Sequence, residues 1–72
     1  MLTKEHKQKM IEARLLEYES RLFSLEMDLI ASEAAGDTAG VRDTQKNIDT
    51  LKKAYGAVKG MRTDADTTDT TA

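Results

Sequence analysis

The 72-residue chain contains no cysteine, no proline and no tryptophan, and only three aromatic side chains, Tyr18, Phe23 and Tyr55. The absence of cysteine excludes disulfides, thiolate nucleophiles and zinc–thiolate sites. The absence of proline leaves long helices uninterrupted. Scarce aromatics supply few platforms for stacking nucleic-acid bases. No apolar run is long enough to span a bilayer, and the charged start MLTKEHKQK lacks the apolar stretch of a signal peptide. The expectation is a soluble, cytoplasmic protein with no membrane partner.

Catalytic and metal chemistry are equally poorly supplied. The single histidine, His6, stands among lysines with no carboxylate three or four residues further on, and is expected to be solvent-exposed. Carboxylate di-metal bundles need inward-facing Glu-x-x-His pairs, and the chain has none. With no strand there is no strand-to-helix phosphate loop, and one terminal histidine supports no Ser-His-Asp arrangement. The chain is expected to be no enzyme and to hold no cofactor or metal.

What is present is helical periodicity. With 33% charged and 39% hydrophobic residues, the composition suits an all-α or coiled-coil protein. From Met10 to Ala35 there is no glycine, and Ile11, Leu15, Tyr18, Leu22, Leu25 and Leu29 recur at gaps of four and three, the spacing of a seam for one partner helix. Thr3 is the expected N-cap of a first helix over about residues 4–35, with Gly36 as its left-handed terminator. Asp37 or Thr38 then caps a second helix over about residues 38–59. Its seam is Val41, Thr44, Ile48, Leu51, Tyr55 and Val58, and Gly60 is its expected stop.

So short a connection folds the helices into an antiparallel hairpin. A tight turn at Gly36 and Asp37 makes facing positions add to about 73, which sets Leu25 against Ile48, Leu22 against Leu51, Tyr18 against Tyr55, Leu15 against Val58 and Ile11 against Arg62. Between these layers Glu19 is expected opposite Lys52, Glu12 opposite Lys59 and Glu26 opposite Gln45. The two tyrosines pack in the seam with their hydroxyls at its edge. Residues 1–62 form the hairpin domain; residues 63–72, rich in Asp and Thr with no large apolar side chain, are expected to be disordered.

A second apolar stripe, Leu16, Phe23, Met27, Ile30 and Ala34, lies roughly 130° from the first at 100° per residue. A chain this short seldom buries enough through one seam, so the stripe is expected to be an oligomer interface, pairing hairpins into a four-helix bundle or a larger oligomer. Met10, Met27 and Met61 add an adaptable apolar surface.

The net charge of −2 conceals a segregation. The open end of the hairpin, residues 1–18 with 52–62, carries Lys4, Lys7, Lys9, Arg14, Lys52, Lys53, Lys59 and Arg62 against Glu5, Glu12 and Glu17. The turn end, residues 19–51, carries three cations against seven carboxylates. The eight cations are the candidate anion-binding residues.

Three functions are consistent with these patterns. The first is a non-catalytic accessory, adaptor or inhibitor protein that self-associates and binds another protein, of the kind phages and mobile elements encode. The second is nucleic-acid binding through the basic end, and the third is an oligomeric binder of small anionic ligands.

Overall fold

A computed structural model describes the backbone of residues 2–71 and the side chains of residues 2–62. Two helices, α1 (Lys4–Ala35) and α2 (Thr38–Thr71), pack against each other as an all-α helical hairpin. Its dimensions are 55 × 16 × 16 Å. No helix among the described residues is long and apolar enough to cross a membrane.

Each end of α1 closes with local chemistry. Thr3 is extended (φ −74°, ψ 164°), and its hydroxyl oxygen accepts from the backbone N–H of His6 at 3.2 Å, satisfying one of the free donors of the first turn. Thr3 Oγ1 and His6 Nδ1 are also 2.8 Å apart. At the other end Gly36 is left-handed (φ 71°, ψ 22°), a conformation in which a Cβ meets the backbone. Its N–H donates to the Glu33 carbonyl at 3.1 Å and the Asp37 N–H donates to Ser32 at 2.9 Å, the paired bonds of a Schellman turn.

The second helix begins at once. Asp37 Oδ1 accepts from the Gly40 N–H at 2.9 Å, so Asp37 is the N-cap and Thr38 the first helical residue. Gly40 is more than a weak helix residue. A Cβ there meets the Asp37 carboxylate and comes to 3.0 Å from Ser32 Oγ, so any larger residue displaces the capping side chain. The whole reversal of the chain is contained in Ser32 to Gly40.

Between the helices lie the two stripes spaced three and four apart. Ile11, Leu15 and Ile48 are buried, at 9%, 4% and 4% exposure. Tyr18, Leu22, Leu25 and Leu29 of α1 are half-buried, as are Val41, Thr44, Leu51, Tyr55 and Val58 of α2. One helix covers only one side of its neighbour, so a two-helix seam leaves most of its members partly open to water.

Two expectations need correction. α2 does not stop near Lys59. Gly36 is the one glycine among the described residues with positive φ, so Gly60 stays helical and offers no left-handed exit; Arg62 continues the seam spacing from Val58 and is tied to α1. The expected disorder of residues 63–72 falls outside the residues whose side chains are described. The charge pairing also differs. Glu12 bonds Arg62 rather than Lys59, and Glu19 bonds Tyr55 rather than Lys52. Tyr55 and Arg62 are long seam residues whose apolar stems pack while their polar ends emerge at the edge, where the glutamates already stand.

Candidate functional site: the outer face of helix α1

Among the side chains of α1 not used by the seam, one row is apolar. Leu16, Phe23 and Ile30 recur every seven residues, with Met27 and Ala34 beside them. All five are exposed: Leu16 63%, Phe23 61%, Met27 51% and Ile30 68%, with Ala34 in the same class. At 100° per residue this row points roughly 130° away from the seam. α1 is therefore apolar on both faces, and α2 covers only one of them. The outward positions of α2, such as Arg42, Asp43, Lys46, Asp49 and Lys53, are polar and exposed. Single exposed apolar residues are ordinary, but five aligned along one side of a helix, spread over about 27 Å, are not.

Glutamates border the row. Glu12, Glu19, Glu26 and Glu33 lie between seam and stripe, so that Leu16, Phe23 and Ile30 each have one glutamate four residues before and one three residues after, the spacing at which helix side chains are neighbours. The four differ in their partners. Glu12 Oε1 accepts from Arg62 Nη1 at 2.8 Å, and Glu19 Oε1 accepts from the Tyr55 hydroxyl at 3.0 Å. That hydroxyl is held above its ordinary value of 10.0, first by its hydrogen bond to the Glu19 carboxylate, then by partial burial and the charge of Glu19, with Arg62 acting in the other direction. The carboxylates of Glu26 and Glu33 have no hydrogen-bond or ion-pair partner among the described residues. Gln45, expected across from Glu26, instead donates to Asp49 at 3.2 Å within its own helix. Along the opposite edge of the stripe stand Glu17, Ser24 and Ala31.

The basic end is built differently. Lys4, Lys7, Lys9, Lys52, Lys53 and Lys59 are exposed, and the two guanidiniums pair with carboxylates: Arg14 with Glu17 at 3.5 Å, and Arg62 with Glu12. These are the groups best shaped for bidentate recognition of phosphate. Between the helices at this end is a groove of about 190 Å³ lined by Met10, Ile11, Arg14, Val58 and Met61. It brings together two of the three methionines singled out in the sequence; Met27 lies apart, on the outer stripe. Tyr18, expected to face Tyr55 across the seam, has the Arg21 guanidinium carbon 6.0 Å from its ring centre, the outer limit of a cation–π contact. The Tyr55 hydroxyl donates to Glu19. No group of three or more His, Cys, Asp or Glu side chains among the described residues is placed to hold a metal ion.

Sequence reasoning missed the cross-helix bonds of Tyr55 and Arg62, and no spacing rule reveals which of several nearby polar groups a flexible side chain selects. Comparisons with protein-family models, with curated proteins and with solved structures find no match for this chain.

Proposed function

We propose that this protein is a non-catalytic helical hairpin that acts by association, with the outer face of α1 as its docking surface for a helix of another macromolecule. One observation carries the reading: Leu16, Phe23, Met27 and Ile30 form an exposed apolar row on the face of α1 that α2 leaves bare. A helix laid along that row makes α1 the middle of three. α2 then acts as a brace that holds α1 straight and helical before the partner arrives, which lowers the ordering cost of binding. The seam and the docking face are separate rows, so one can be altered without the other.

Two occupants fit the shape of this face. If a second copy binds, α1 packs on α1 through this face and two hairpins form a four-helix assembly. If another protein binds, the hairpin is an adaptor or inhibitor that lends a preformed helical surface. In either case Phe23→Asp places a charge in the row without touching the seam. Circular dichroism should retain its helical signal, while association, followed by light scattering alone and in the presence of a helical partner, should be lost. Retained association by the variant rules out this face as the docking surface.

A further inference from the structure

Resting on the docking reading above, the pattern of charge around the stripe says which kind of helix it receives. We propose that the outer face of α1 is the receptor for an amphipathic α-helix of another protein, apolar along one side and carrying Lys or Arg along the adjoining edge.

Leu16, Phe23 and Ile30 are each bracketed by glutamates on the same edge, and the carboxylates of two of these, Glu26 and Glu33, lack any intramolecular partner among the described residues. They flank Ile30 and lie in the acidic half of the hairpin, with Asp28, Asp37, Asp43 and Asp49 nearby in sequence or across the turn. A partner helix seated on Phe23, Met27 and Ile30 brings its own flanking residues beside these carboxylates. Basic side chains there complete ion pairs that the hairpin leaves open, whereas acidic ones add repulsion.

The same geometry disfavours a second copy. A two-fold axis that relates antiparallel α1 helices through this face turns each edge of the stripe onto the same edge of its mate, so the glutamate row meets the glutamate row. Parallel pairing avoids that contact but stacks basic end on basic end and acidic end on acidic end. Either self-pairing sets like charge against like; a basic amphipathic helix does neither. An anionic lipid surface is disfavoured on the same ground, because the carboxylates border the apolar row that has to enter it. The row spans four to five helical turns, so an occupant of about 20 residues covers it.

The test uses the full chain and two labelled synthetic helices of about 20 residues, identical along an apolar Leu/Ala face, one with lysines and the other with glutamates along its edges. Fluorescence anisotropy at low salt should show the lysine peptide binding at least about tenfold more tightly, with the difference shrinking as salt is raised to about 0.5 M. Glu26→Lys combined with Glu33→Lys should reverse the preference, and Phe23→Ser combined with Ile30→Ser should weaken binding of both peptides. All these positions are exposed, and retained helicity confirms that each variant folds. Equal affinity for the two peptides, or a preference that ignores the charge reversal, overturns the inference and leaves the docking face standing. A sedimenting dimer that dissociates on Phe23→Ser with Ile30→Ser overturns it in favour of a second copy. A monomer that binds neither peptide overturns both the inference and the docking reading.

Discussion

The Tyr55 hydroxyl donates a 3.0 Å hydrogen bond to Oε1 of Glu19, 36 positions earlier in the chain. Seven residues further along α2, Arg62 reaches Glu12, seven residues back along α1. The residue numbers in each pair, 19 with 55 and 12 with 62, add to 74, one from the sum implied by a tight turn at Gly36. Two polar bonds thus report the same antiparallel alignment as the apolar layers. They clamp the open half of the hairpin, where Ile11 and Leu15 are buried.

The Tyr55 bond predicts an alkaline limit. Folding raises the hydroxyl above its ordinary 10.0, so the stability it contributes is fully present below that value and is lost as pH rises through the raised one. Above it, a phenolate faces the Glu19 carboxylate. Thermal midpoints measured from about pH 9 to about pH 12 should fall more steeply for the unmodified chain than for Tyr55→Phe. Lysine deprotonation acts on both and cancels in the difference. Parallel curves mean that the hydroxyl is not coupled to folding.

The glycines of α2 should respond oppositely to alanine. Gly56 and Gly60 are helical with open space around them, so Gly56→Ala and Gly60→Ala should each stabilise by up to about 1 kcal/mol. Gly40→Ala should show no such gain, because about 1 kcal/mol of helix propensity is offset by a comparable loss at the Asp37 cap. A double-mutant cycle checks this by chemical denaturation: Asp37→Ala should cost about 1 kcal/mol in the unmodified chain and close to nothing alongside Gly40→Ala.

The register predicts a crosslink. Leu25 is half-buried and Ile48 buried, and a pairing sum of 73 to 74 sets them at about the same level. Cysteines at these two positions should join within one chain under mild oxidation, given the usual Cβ separation of about 3.5–4.5 Å. Cysteines at 22 and 48, one layer out of step, should react more slowly. Peptide mapping distinguishes the products, and a bond formed only between chains argues for exchange of α2 between hairpins.

The basic end should bind polyanions weakly and only at low salt. Arg14 and Arg62 already face carboxylates, which leaves exposed lysines as the main contacts. Anisotropy of a labelled oligonucleotide should show affinity that falls steeply with salt, as counterion release requires, and is lost by about 0.2 M. Affinity that persists there favours nucleic-acid binding over the protein-docking reading.

The sequence by itself determined both helices, the turn and the seam, because those features depend on local rules. Gly36 is needed wherever a helix must end in a left-handed residue, Asp37 caps the second helix, and gaps of three and four from Ile11 to Leu29 repeat from Val41 to Val58. The second stripe was also legible as periodicity, and with it the glutamates every seven residues. Three matters were decided only by the tertiary structure. By propensity alone Gly40 only weakens a helix, but the turn brings it against Asp37 and Ser32. Gly60 looked like a stop, but a glycine's propensity is worth only about 1 kcal/mol, and α2 runs on through it with Arg62 bonded to α1. Which glutamates are satisfied within the hairpin depends on the reach and aim of individual side chains across the seam. Tyr55 and Arg62 take Glu19 and Glu12, and Glu26 and Glu33 are left beside the bare apolar row, a distinction that spacing along one chain does not contain.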